Sequence, residues 1–168
     1  MQHPAFTFLA FAVALLAITS CLKPPDYPDE PVIEFLAMNQ TTIAQGRTAE
    51  NLDTLVIVFG FTDGDGDLGD DEGAFDIRLR DSRDDALNPF RLPVIPEQGV
   101  GNGISGEITL RIPNAPSNLC CIFENGLDPC TASVEFPTDT FSYSITLTDR
   151  AGNVSNAIRT DPITLLCQ

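Results

Sequence analysis

Tryptophan is missing from the 168 residues, and the single histidine is His3. Beyond the N-terminal segment there is therefore no imidazole for Ser-His-Asp or Cys-His catalysis, nor for His-ligated zinc chemistry. No indole is present to stack on a sugar ring. Lysine occurs once, as Lys23, and nine basic residues face 24 acids, for a net charge of −15. A surface of that sign repels nucleic-acid phosphates and anionic lipid head groups, so nucleic acid is not an expected partner and cations are the natural counter-species. A salty habitat selects the same acidic, arginine-over-lysine bias without any specific ligand. Paired carboxylates can in principle hydrolyse glycosides. Here the acids crowd into one loop and the chain is short for a deep cleft, so no enzymatic activity is expected.

Charge is also absent from Ala5 to Ile18, the run AFTFLAFAVALLAI. At about 14 residues it is short for a membrane span and has the length of a signal-peptide h-region. Ile18-Thr19-Ser20-Cys21 follows directly and resembles a bacterial lipobox: a branched apolar residue, two small ones, then the cysteine that is acylated and becomes the new N-terminus. The n-region lacks the usual Lys or Arg. An ordinary cleaved signal, with Cys21 as a stray thiol, is the alternative. The expected division is a signal peptide over 1–20, a lipidated Cys21 with a Pro-rich tether over 21–31, and a folded domain over 32–168. The tether, LKPPDYPDEP, is biased to polyproline II and about ten such residues reach roughly 30 Å.

Four further cysteines, Cys120, Cys121, Cys130 and Cys167, make an even set in an exported chain, which predicts two disulfides. Joining the neighbours Cys120 and Cys121 would strain the intervening peptide, leaving two pairings. The one favoured from the sequence is Cys121 with Cys130 and Cys120 with Cys167. A tetrathiolate zinc site would need paired C-x₂₋₄-C knuckles, which the sequence does not contain.

No sustained helical period occurs after the leader. Alternation of apolar and polar residues marks half-buried strands over Phe75 to Arg80, Ile104 to Ile112 and Phe141 to Thr148. The continuously apolar Leu55 to Phe61 predicts a central strand covered on both faces. With Val32 to Ala37, Arg91 to Ile95 and Ala157 to Leu166, about seven strands separated by Gly, Pro, Asn and Asp turns predict an all-β antiparallel sandwich with Greek-key connections, a barrel being the rival. Pro96 to Gly106, rich in glycine, reads as a surface loop.

Asp63 to Glu72, DGDGDLGDDE, holds the densest chemistry of the chain. Alternating Asp and Gly let a tight turn aim several hard oxygen donors at one point, as Ca²⁺ requires with about six to eight ligands. The loop begins like an EF-hand, yet Leu68 stands where that motif needs Gly and Ala74 where it needs the bidentate Glu. If Leu55 to Phe61 and Phe141 to Thr148 are strands B and F of a sandwich, their following loops share one end of the domain. Asp63, Asp65, Asp67, Asp70 and Asp149, with Asn153 nearby, are then the candidate Ca²⁺ ligands. The alternatives are a solvated acidic loop and, for Asp149, a purely local turn-stabilising role.

The segment Thr148-Asp149-Arg150-Ala151-Gly152-Asn153-Val154-Ser155 resembles the D-x-A-G-N turn near the end of many bacterial immunoglobulin-like domains. With the lipobox and the loop Asp63 to Gly69, it makes the chain similar to poorly characterised lipoproteins of the Bacteroidetes type. The resemblance implies an immunoglobulin-like sandwich anchored by lipid in the bacterial cell envelope, at the outer membrane, facing the periplasm or the outside. It implies no reaction. Two functions follow as expectations: a binding module recognising a protein or glycan through a Ca²⁺-stiffened loop end, or a structural component of an envelope complex that needs no metal. An exposed aromatic cluster at the loop end would favour the first. A long unpaired apolar edge strand would favour the second.

Overall fold

The computed structural model describes residues 26–46, 53–70, 73, 75–96, 103–115, 118–123 and 126–168. The expected signal peptide, the lipobox with Cys21 and the centre of the glycine-rich loop lie outside them. Among the described residues the chain is all β, without helix. Its strands are β1 (Val32–Met38), β2 (Thr42–Ala44), β3 (Thr54–Asp63), β4 (Ile77–Asp81), β5 (Leu87–Phe90), β6 (Ile104–Pro113), β7 (Thr138–Phe141), β8 (Tyr143–Leu147), β9 (Ile158–Arg159) and β10 (Ile163–Leu166).

They form three sheets, with orders β1-β3-β6, β2-β10-β7 and β5-β4-β8-β9. All pairings are antiparallel except that of β10 with β2. The last two sheets share two interrupted strands. Only Ser142 separates β7 from β8, and residues 160–162 separate β9 from β10. Thr160 bridges the gap: its N–H donates to the Tyr143 carbonyl (3.0 Å) and its hydroxyl accepts from the Tyr143 N–H (3.0 Å). The result is two layers enclosing one core, consistent with a β-sandwich.

Alternation explains the core. In β6 the side chains of Ile104, Ile108, Leu110 and Ile112 are buried while Glu107, Thr109 and Arg111 are exposed. In β8 Tyr143, Ile145 and Leu147 are buried, continuing the inward row from Phe141. β3 is central in its sheet but buries only one face fully, through Leu55, Ile57, Phe59 and Phe61. Val56 and Val58 are half-buried, because the outer face of this three-stranded sheet has no second layer over it.

Several expectations are corrected. Arg91 to Ile95 is not a strand; the strand is the preceding Leu87–Phe90, whose Pro89 fits an edge position that needs no ladder donor on its outer side. The alternation over Phe75 to Arg80 breaks at its start, where Phe75 is 46% exposed and Asp76 is buried, its carboxylate accepting the Leu92 N–H (2.8 Å). Ile104 to Gly106 belongs to β6 rather than to a loop.

The disulfides are Cys120–Cys130 and Cys121–Cys167, the other of the two pairings left open. The favoured Cys121–Cys130 and Cys120–Cys167 bonds are overturned by side-chain direction. Ile163, Leu165 and Cys167 all point inward along β10 and its continuation. Of the two adjacent cysteines, Cys121 is fully buried and Cys120 only half-buried. Successive residues of an extended chain face opposite sides, so only Cys121 can meet Cys167.

The free edge of β1 is closed by a side chain. The Asn156 amide accepts from the Ile33 N–H (2.8 Å) and donates to the Ile33 carbonyl (2.9 Å), as a neighbouring peptide would. Asn156→Ala is expected to cost about 1–2 kcal/mol, the net worth of two such bonds, readable as a lower denaturation midpoint with unchanged slope.

Candidate metal site

β3 ends at Asp63, and the acidic loop leaves the sheet there. Leu68, fully buried in the core, holds the loop down, and its carbonyl accepts the Ile95 N–H (3.2 Å). Gly66 adopts φ +72°, which permits the tight turn between Asp65 and Asp67. On the facing side, β8 ends at Leu147 and the chain turns through Asp149 to Asn153. The two segments are stitched together through Arg150: its N–H donates to the Asp67 carbonyl (3.2 Å) and its guanidinium to the Gly69 carbonyl (3.0 Å).

This brings Asp63, Asp65, Asp67 and Asp149 into one cluster, with one carboxylate oxygen of each within 4.8 Å of the others. Asp63 and Asp149 are buried, Asp67 half-buried and Asp65 exposed, so the cluster opens toward solvent at Asp65. Asp70 does not join it; beyond Gly69 the chain turns toward Leu92, whose carbonyl accepts the Asp70 N–H (3.4 Å). Asn153 takes a supporting role. Its N–H and side-chain amide donate to the two oxygens of Asp149 (2.7 and 2.8 Å), so Asp149 both stabilises its own turn and stands in the cluster.

Asp63 and Asp67 are held by one oxygen each. Asp63 Oδ2 accepts the Asp67 N–H (3.0 Å), and Asp67 Oδ2 accepts the Ala151 N–H (2.9 Å). Asp63 Oδ1 and Asp67 Oδ1 are buried with no hydrogen-bond partner among the described residues, as is Thr148 Oγ1. A buried charged oxygen without a donor is costly. Burial, followed by the charge of Asp65, pushes the Asp63 carboxyl up to about 6, and burial with the charge of Asp149 raises Asp67 as well. The arrangement is hard-oxygen, anionic and under-neutralised, which suits a divalent cation. Sequence reasoning assembled these four acids but missed the Arg150 guanidinium that reaches Gly69 and the Arg150 and Ala151 N–H groups that reach Asp67, and backbone donors leave no side-chain pattern to read.

Beside the cluster lies an open hollow of about 310 Å³ lined by Phe75, Arg78, Leu87, Pro89, Thr148 and Asp149. Phe75 and Leu87 are 46% and 53% exposed there, and the Arg91 guanidinium lies over the Phe75 ring (4.7 Å). No protein-family model matches the chain, and neither a curated protein nor a solved structure does.

Proposed function

We propose that the chain is a non-enzymatic cell-envelope lipoprotein, acylated at Cys21, whose immunoglobulin-like domain binds Ca²⁺ through Asp63, Asp65, Asp67 and Asp149 and acts as a binding module for a protein or glycan. The immunoglobulin-like reading rests on strand order. Taking β1, β3 and β6 as A, B and E, the second layer reads C′-C-F-G from β5, β4, the β7–β8 pair and the β9–β10 pair.

The ion reading rests on one observation above all, the buried, unpartnered oxygens of Asp63 and Asp67 inside a four-carboxylate cluster. A divalent cation supplies the missing positive partner, and Ca²⁺ fits better than Mg²⁺, which dehydrates reluctantly and seldom accepts an all-protein cage. The binding-module reading is supported by the exposed Phe75 and Leu87 in a hollow that shares Asp149 with the cluster. The assembly alternative finds less support. The long edge strand β6 carries Glu107 and Arg111 outward, charges that discourage strand addition.

Thermal unfolding in excess Ca²⁺, excess Mg²⁺ and EDTA tests the ion. A ligand at a hundredfold excess over its dissociation constant stabilises the folded state by about 2.7 kcal/mol, several degrees in midpoint for a domain this size. A Ca²⁺-selective rise that disappears in Asp65→Ala is expected. The same midpoint in all three conditions would reduce the cluster to a solvated turn.

A further inference from the structure

The N-terminal segment lies against the acidic loop. Gly64, between Asp63 and Asp65, donates its N–H to the Pro28 carbonyl (2.8 Å). A Cβ on Gly64 would stand 2.4 Å from the Tyr27 carbonyl oxygen and 2.7 Å from Pro28, so glycine is required for the chain to pass this closely. Gly103 forms the other wall: a Cβ there would meet the Asp63 carbonyl oxygen at 2.5 Å and the Tyr27 ring at 3.1 Å. Pro31 is buried and Val32 pairs with Thr62, so the segment enters β1 directly from this seat. Residues 27–31, expected to be spacer, are thus part of the domain.

The docked segment is itself acidic. Asp26, Asp29 and Glu30 are exposed on it, and its backbone at Pro28 is hydrogen-bonded to Gly64 of the loop that carries Asp63, Asp65 and Asp67. Like charges brought together oppose docking unless a cation offsets them. The seat is also built from the same residues as the ion site, since Gly64 is flanked by two of its acids and Gly103 touches the Asp63 backbone. Opening of the loop by carboxylate repulsion would carry the Gly64 N–H away from Pro28.

Resting on the Ca²⁺ reading above, we infer that the ion is also a clasp: a cation in the Asp63-Asp65-Asp67-Asp149 cluster locks the segment Asp26 to Pro31 onto Gly64 and Gly103, and its removal releases that segment. The consequence is positional. Tyr27 lies six residues after Cys21, a reach of at most about 20 Å even fully extended. A closed clasp therefore keeps the acidic end of the domain near the point of attachment, while release lengthens the tether and frees the domain to reorient.

Hydrogen exchange of the Gly64 N–H, the donor that docking engages, compared in Ca²⁺ and in EGTA on the purified protein, tests this, with the unfolding midpoint measured in the same buffers. The expected result is a Ca²⁺-dependent rise in midpoint together with at least tenfold slower exchange of the Gly64 N–H. Because coupling is reciprocal, Tyr27→Ala, which weakens docking without touching a ligand, should lower Ca²⁺ affinity in direct titration. A Ca²⁺-dependent midpoint with unchanged exchange at Gly64 would overturn the clasp and leave the ion site standing. No Ca²⁺ effect on the midpoint would overturn both.

Discussion

Asp63→Asn is expected to raise stability without the cation and to abolish the response to it. In EDTA at pH 7 the variant should unfold at a higher temperature than the parent; excess Ca²⁺, which raises the parent's midpoint, should leave the variant's unmoved. The ion-free argument starts from a carboxyl moved from an ordinary 3.8 to about 6, chiefly by burial and then by Asp65. A group that holds its proton more tightly folded than unfolded binds more protons in the folded state across that interval, so stability falls as pH rises through it. At pH 7 the ionised group costs about 3 kcal/mol, from roughly two pH units of displacement at about 1.4 kcal/mol each. An amide keeps the acceptor for the Asp67 N–H and puts an N–H₂ where the unpartnered Oδ1 stood, with neighbouring carboxylates to receive it. That cost is removed.

With Ca²⁺ present the same substitution deletes a charged ligand, and most of the roughly 3 kcal/mol of ligand-derived stability goes with it. A midpoint raised in EDTA and no longer moved by Ca²⁺ is the signature, because a merely structural Asp63 would lose stability in both buffers. pH supplies an independent reading. The ion-free parent should gain stability as pH falls from 7 toward 4, the reverse of ordinary acid denaturation, and Asp63→Asn should lose much of that gain. Ca²⁺ affinity should fall over the same interval, since metal and proton compete for one oxygen set.

The cluster was legible because its chemistry is written in side chains. Asp63, Asp65 and Asp67 at alternate positions announce a convergent turn, and the strand periodicity that places them after β3 also places Asp149 after β8. Asp70 misled because its acidity was visible and the turn at Gly69 (φ +81°) that removes it was not. The tether's docking could not be read at all: its contacts are the Gly64 N–H, a carbonyl and the absence of two Cβ atoms. Among the strands, β6 and β8 follow their alternation faithfully, since one face of each meets the core and the other meets solvent. β5 escaped notice because Asn88 and Pro89 are poor strand formers tolerated at an edge, and β2 because three residues are too few to show a period.

Removing the Cys121–Cys167 bond should destabilise the domain far more than removing Cys120–Cys130. The chain-entropy cost grows with the loop closed: about 4 kcal/mol for a separation of 46 residues against about 2.7 for one of 10. Packing widens the gap. Cys121 and Cys167 are fully buried within the core cluster, and Cys121 N–H donates to Gln45 Oε1 (3.2 Å), so this bond ties the stapled loop to both β10 and the end of β2. Cys120 and Cys130 are half-buried, and Cys130 sits at φ +63°, a conformation that suits glycine better. The outer segment keeps another attachment without them: the Arg83 guanidinium pairs with Asp81 and Asp139 and donates to the Cys120 carbonyl (3.0 Å). Cys121→Ala/Cys167→Ala should therefore lower the unfolding free energy by about 4 kcal/mol or more, a large share of the usual 5–15. Cys120→Ala/Cys130→Gly should cost clearly less. Thiol labelling of the single Cys167→Ala variant gives the pairing its direct check: the thiol it frees should be Cys121, reacting only on unfolding, whereas prompt labelling at Cys120 would restore the pairing that side-chain direction rejects.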